Sequence, residues 1–164
     1  MLAKGMPPSA FRRLLVVCTG NICRSPMGEV ILRDRLRTRG GFTVESAGTG
    51  ALVGHGASTH AIAVMDERHM DLRAHEARQF ELGLARNFDL TLVMEHEHRR
   101  WIEQRFPVLR GRVHLFGRWL DDTEILDPLG YPIEEFRAAR DLIEEAADAW
   151  AERIAGASEP RRES

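Results

Sequence analysis

Cys18 and Arg24, separated by five residues and followed by Ser25, are the residues of this chain best suited to do chemistry. They lie in the run Val16-Val17-Cys18-Thr19-Gly20-Asn21-Ile22-Cys23-Arg24-Ser25-Pro26. A strand runs into this segment and a helix runs out of it, so successive backbone N–H groups and a helix N-terminus face one small volume, which makes an anion site. The residues Thr19, Gly20, Asn21, Ile22 and Cys23 are long enough to wrap their N–H groups around a phosphate, and Arg24 adds a planar fork for two of its oxygens. Converging positive dipoles and a guanidinium favour the Cys18 thiolate over the thiol. Ser25 can donate a hydrogen bond to that sulfur. Gly20 can take a left-handed backbone conformation and Asn21 tolerates one. The chemistry implied is nucleophilic attack on phosphorus through a phosphocysteine intermediate. A purely structural reading would instead make Cys18 a buried packing residue and leave Arg24 on the surface. A Walker-type loop is excluded, because Gly-x-x-x-x-Gly-Lys-Ser/Thr is absent.

Displacing an aryl oxygen is easier when an acid protonates it. Asp127, stiffened by Pro128 in the long segment before the last helix, is the candidate, with Asp121 and Asp122 as competitors. An Asp-Pro pair taken alone is a turn signal. Cys23 reads equally well as a redox partner that spares Cys18 from irreversible oxidation and as a small apolar packing residue. The Cys18–Cys23 spacing is not that of a zinc site, and His55, His60, His96 and His98 are expected to be solvated side chains, so neither a metal nor another cofactor is expected. The run Arg33, Arg35, Arg37 and Arg39 reads as a solvated helix end.

These residues need a scaffold, and the chain alternates strands with helices. Strands are expected at Arg13 to Val17, Phe42 to Ser46, Asp89 to Met94 and Val113 to Phe116. The first helix is expected from about Pro26 to Arg39, with Ser25 as its N-cap and Gly40-Gly41 ending it. A second runs from about Ser58 to Met70 with Ile62, Met65 and His69 on one face, and Arg73 to Phe88 holds a loop and one short helix. His96 to Phe106 places His98, Ile102 and Phe106 four apart. The last helix is the clearest: Ile133, Phe136, Ala139, Ile143, Ala147, Trp150 and Ile154 keep a period near 3.6, with Glu134 and Glu135 in the first turn. Alternation of this kind indicates a parallel sheet covered on both faces, with the site at the carboxyl ends of its strands. Cys18 is at one such end.

The 164 residues suit one domain, read as residues 12–155, with residues 1–11 and 156–164 as flexible tails. A net charge of −2 argues against a nucleic-acid partner. No apolar run approaches the ~18 residues of a membrane span. The first ten residues lack a signal-type apolar stretch, and two cysteines are too few for a disulfide scaffold, so a reducing, cytoplasmic setting is expected.

From about Arg12 to Ile154 the chain resembles the low-molecular-weight protein-tyrosine phosphatases, and the segment from Cys18 to Pro26 carries the resemblance most specifically. The resemblance implies a single three-layer α/β domain, with a four-stranded parallel sheet of order 2-1-3-4 and the phosphate-binding loop after strand 1. It implies Cys18 as nucleophile, Arg24 as phosphate and transition-state ligand, Ser25 as support of the thiolate, Asn21 as a shaper of the cradle and Asp127 as the acid. Ser46 of Glu45-Ser46-Ala47 and His75 of His75-Glu76-Ala77-Arg78-Gln79 would join a network behind the loop. Within the family the segment Gly50-Ala51-Leu52-Val53-Gly54 is similar to the bacterial exopolysaccharide-associated type, with Leu52 where many eukaryotic members have tryptophan. That type acts on the tyrosine-rich tail of a bacterial tyrosine autokinase. The implied partner is therefore a tyrosine-phosphorylated protein, met by a monomer or weak dimer that neither binds nucleic acid nor inserts into a membrane. Relatives usually carry an aromatic residue directly after Asp-Pro, whereas here Leu129-Gly130-Tyr131 follows, so the expected pocket rim is Leu52, Leu129 and Tyr131. Two alternatives remain: a thioredoxin-linked arsenate reductase, which would need cysteines beyond Cys23, and a phosphotyrosine-binding module without turnover.

Overall fold

The computed structural model describes residues 11–156. Four strands, β1 (Arg13–Cys18), β2 (Thr43–Gly48), β3 (Leu90–Val93) and β4 (Val113–Leu115), form one sheet of order β2-β1-β3-β4. Every pairing is parallel, as the sequence predicts. The helices are α1 (Arg24–Leu36), α2 (Thr59–Asp66), α3 (Leu82–Ala85), α4 (His96–Arg105) and α5 (Ile133–Ala151).

The central strand explains the layering. Because side chains alternate across a strand, Leu14, Val16 and Cys18 join one core with Met27 and Ile31 of α1, Val64 of α2 and Phe136, Ile143 and Trp150 of α5. Leu15 and Val17 join a second core with Phe80, Ala85 of α3, Phe88 and Ile102 of α4. With apolar helices on both faces, β1 from Leu14 onward is buried and reads as an unbroken apolar run.

The α5 stripe packs as its period requires, with Phe136, Ala139, Ile143, Ala147 and Trp150 all buried. Trp150 is fully buried and donates its indole N–H to the Phe116 carbonyl at 2.9 Å. Truncating such a residue to alanine costs about 3–5 kcal/mol.

Several boundaries differ from expectation. Phe11, placed by sequence in the N-terminal tail, is fully buried in the α1/α5 core; the rest of that tail and residues 157–164 lie outside the described residues. Helix α1 starts at Arg24, so Ser25 is within its first turn and is not the cap. It ends at Leu36, short of Arg39, and Gly40 and Gly41 then take φ of 72° and 80°. Helix α2 stops at Asp66, and His69 beyond it is left-handed at φ 61°. The arginine run is not merely solvated: Arg33 reaches the Val44 carbonyl at 2.7 Å, and Arg35 ties α1 to α5 through Asp148 at 2.7 Å.

Candidate active site

β1 ends at Cys18 and α1 begins at Arg24, which leaves the loop between them to be shaped by its neighbours. Its carbonyls are all engaged on the outside. The Cys18, Thr19 and Gly20 carbonyls accept from the N–H groups of Thr49, Gly50 and Leu52 at 3.0, 3.0 and 3.1 Å. The Ile22 carbonyl accepts from Ser58 N–H at 2.9 Å, and the Asn21 carbonyl accepts from His75 Nε2 at 2.6 Å. In a trans peptide the next N–H points opposite to the carbonyl. The N–H groups of Thr19, Gly20, Asn21, Ile22 and Cys23 are thereby turned to the inside. Gly48 permits this closeness, since a Cβ there would stand 2.3 Å from the Thr19 oxygen.

Asn21 is the keystone. It is fully buried and left-handed at φ 59°, so of the two positions open to that conformation in the sequence, Gly20 and Asn21, Asn21 takes it. Asparagine tolerates this backbone and brings a side chain that glycine lacks. Its Nδ2 donates to Ser25 Oγ at 2.7 Å and to Ser46 Oγ at 3.0 Å, while its Oδ1 accepts from Arg78 N–H at 2.9 Å. The Ser46 hydroxyl in turn donates a hydrogen bond to Glu29 Oε1 at 2.5 Å. Ser25, filled by Asn21 as an acceptor, stands 3.0 Å from Cys18 Sγ, and its backbone N–H points to the same sulfur at 3.4 Å. Its hydroxyl also lies 3.4 Å from the Ala47 carbonyl, and as the second residue of α1 it is past the cap position.

Arg24 is 1% exposed, opposite to the surface position of the structural reading. Glu95 and the Ile125 carbonyl both accept from its Nη1, the latter at 2.8 Å. Its Nη2 lies 3.7 Å from Asp127 Oδ2, and its Nε is buried with no hydrogen-bond partner among the described residues. An unmet buried donor costs about 1–3 kcal/mol until an acceptor arrives. Arg24 shares a narrow pocket with Cys18, Gly20, Ile22, Cys23, Asp127, Leu52 and Leu129.

The expected residues thus meet around Cys18 except Tyr131, and of the three candidate acids only Asp127 is among them. Tyr131 is exposed and lines a neighbouring groove, so the rim is Leu52 and Leu129 without it. Asp121 and Asp122 are also exposed and lie outside the pocket. Cys23 is buried in the α1/α5 core and donates to Ser58 Oγ at 3.3 Å. Burial pushes its thiol up to about 12, so it stays protonated in ordinary conditions. Both cysteines are free thiols. Among the described residues, no group of three or more His, Cys, Asp or Glu side chains is placed to hold a metal ion.

Besides Glu29 and Arg78, which bond Ser46 and Asn21, sequence reasoning missed two supports just beyond β3. Glu95 holds Arg24, and His98, expected to be solvated, is 1% exposed. Glu95 N–H donates to His98 Nδ1 at 3.1 Å, which leaves the ring proton on Nε2 to donate to Thr19 Oγ1 at 2.8 Å. Burial, and then the Arg24 charge, lower His98 to about 4, so it is neutral. Its four-residue spacing from Ile102, on the face of α4 that packs inward, was the available signal.

A family model described as low molecular weight phosphotyrosine protein phosphatase matches residues 13–159. Over 144 residues the chain is 45% identical to the low molecular weight protein-tyrosine-phosphatase Wzb of Escherichia coli K12, covering 88% of this chain and 96% of that one. The structure of Vibrio vulnificus Wzb in complex with benzylphosphonate is similar at a TM-score of 0.84 and 41% identity, over 88% of this chain and 99% of that one. The YwlE arginine phosphatase from Geobacillus stearothermophilus is similar at 0.82 and 36%, over 87% and 92%.

Proposed function

The chain belongs to the low molecular weight phosphotyrosine protein phosphatase family, and from that premise we propose that it hydrolyses protein phosphotyrosine through a phosphocysteine, without a metal. The observation that carries this reading is the ring of inward N–H groups around Cys18, closed by a buried Arg24 with a free Nε.

In the first step Cys18 Sγ attacks phosphorus and the bond to the tyrosyl oxygen breaks. The Asp127 carboxyl gives its proton to that oxygen. In the second step water attacks the phosphocysteine, its proton passes to the Asp127 carboxylate, and the S–P bond breaks to release phosphate and the Cys18 thiolate. Inward amides and Arg24 hold the three equatorial oxygens throughout, which is preorganised electrostatic stabilisation. Ser25 holds charge on the sulfur when it leaves. Leu52, Leu129 and Ile22 offer apolar walls to a phenyl ring. The side chains of Glu95 and Asn21, with those of Ser46 and His75 and the Arg78 backbone behind the loop, position these groups and do not touch the substrate.

The physiological substrate we infer is the phosphorylated tail of a bacterial tyrosine autokinase linked to exopolysaccharide production, on the strength of the Gly50–Gly54 segment and the likeness to Wzb. The absence of any cysteine after Cys23 stands against a disulfide-relay arsenate reductase.

The test is a panel of phosphotyrosine, phosphoserine, phosphothreonine and phosphoarginine peptides, assayed with chelator present. Release of phosphate from phosphotyrosine alone is expected. Preference for phosphoarginine would overturn the substrate class, and tight binding without turnover would overturn the enzyme assignment.

A further inference from the structure

Large apolar side chains stand exposed at Leu52, Val53, Val108, Leu126, Leu129 and Tyr131. All but Val108 sit on the two loops that border the Cys18 pocket. Exposed apolar residues scattered singly need no explanation, whereas a cluster around a site marks an interaction surface. Beside the pocket, between the Asp127 loop and α5, lies a groove of about 530 Å³. Its apolar members include Leu126, Pro128, Tyr131, Ala138 and Leu142, and its charged members besides Asp127 are Glu124 and Glu135. The volume falls among those of sites that enclose a ligand, which run from about 300 to 1,000 Å³.

Two features say what the groove would accept. It adjoins the pocket, because Asp127 lines both, so a polypeptide whose phosphotyrosine reaches Cys18 has the groove within reach of its neighbouring residues. It is also acidic: no Lys, Arg or His lines it, Glu135 forms no ion pair among the described residues, and the contact of the Glu124 carboxylate is with the His96 N–H at 2.8 Å. A second phosphate or an anionic surface would be repelled there.

Building on the phosphotyrosine reading above, we propose that this groove docks the protein substrate: it takes an aliphatic or aromatic side chain close to the phosphotyrosine, with a neighbouring Lys or Arg facing Glu135. A small aryl phosphate bypasses the groove and is hydrolysed without its help. Substrate selection is then divided, the phosphate by the Cys18 pocket and the adjoining sequence by α5.

The experiment compares p-nitrophenyl phosphate with two phosphotyrosine peptide sets, one carrying a Leu-Lys pair and the other Ser-Glu, scanned along both sides of the phosphotyrosine. The wild-type protein is expected to favour the best Leu-Lys peptide by about tenfold or more in kcat/KM, through KM. Ala138→Trp, which fills the groove, removes that preference and leaves p-nitrophenyl phosphate turnover unchanged. Glu135→Lys turns the charge preference around. Equal use of both peptide sets by the wild type, an equal loss on peptide and p-nitrophenyl phosphate in Ala138→Trp, or an unaltered charge preference in Glu135→Lys would each overturn the proposal. Failure of the wild type on every phosphotyrosine substrate would count against the phosphotyrosine reading instead. In that event the affinity of Cys18→Ser for the two sets still decides the groove, and equal affinities reject it.

Discussion

The two segments that meet at Cys18 are built in opposite ways. The loop from Cys18 to Ser25 is closed on itself and on its surroundings, with Asn21, Arg24 and Ser25 buried and the Asn21 amide bonded at both ends. The segment from Gly117 to Tyr131 is anchored where Ile125 is buried and bonded to Met94 and Arg24. Asp127, two residues on, is 44% exposed and its carboxylate bonds to the Leu129 N–H at 3.1 Å. Charge that must be held through both chemical steps is met by fixed dipoles. In the proposed mechanism, the proton that is handed to an incoming chain and taken back from water comes from a group at the surface. The contrast implies that damage to the first segment lowers both stability and turnover, and damage to the second lowers turnover alone.

The largest effect tests the first segment at its chemical centre. Cys18→Ser should lower turnover of p-nitrophenyl phosphate by about four orders of magnitude or more, and retained turnover would remove the nucleophile. Asp127→Ala should lower kcat by about 10²- to 10³-fold without changing inhibition by inorganic phosphate or the denaturant midpoint. The same loss in Asp122→Ala would assign the acid elsewhere. Asn21→Ala should cost about 2–4 kcal/mol in urea unfolding, because it strands the Arg78 N–H and leaves alanine at positive φ, and it should also reduce kcat. A stability unchanged by this substitution would erase the contrast.

The effect smallest at neutral pH is a pH dependence. His98 takes up a proton near 6.5 when unfolded and near 4 when folded. Between those values the unfolded chain binds the extra proton, so the His98 contribution is intact above about 6.5 and is lost as pH falls toward 4, by roughly 3 kcal/mol in the limit. His114 is lowered by burial in the same direction. Subtracting the urea stabilities of His98→Gln from those of the wild type between pH 7 and 4 isolates the His98 share. Parallel curves would deny it.

What could be read in the chain follows from distance along it. β1, the loop and the start of α1 are contiguous, so the spacing of Cys18, Arg24 and Ser25 carries its own geometry. A parallel sheet with a core on each face follows from the apolar runs and the α5 stripe that packing requires, whereas the strand order came with the family resemblance. Glu95, His98 and Arg78 reach the loop only because β3 lies beside β1 and the 78–80 segment lies beside β2; the spacing of His98 from Ile102 marks it as inward-facing, but no local signal names the loop as its neighbour. The left-handed position went to Asn21 because its side chain can be bonded there, which propensity alone ranks below glycine. Tyr131 turned to the groove because Pro128, Leu129 and Gly130 set it on the far side of Asp127. Phe11 was hidden because the glycine- and proline-containing approach to it gives no period.

Trp101, Trp119 and Trp150 pack in or against the two cores, and neither the Cys18 pocket nor the adjoining groove holds a tryptophan. Indole emission from this chain is therefore a clean gauge of whether the scaffold is folded, insensitive to occupancy by oxyanions. Placing a single tryptophan at Leu52 would add an optical sensor at the entrance while the other three continue to monitor the interior.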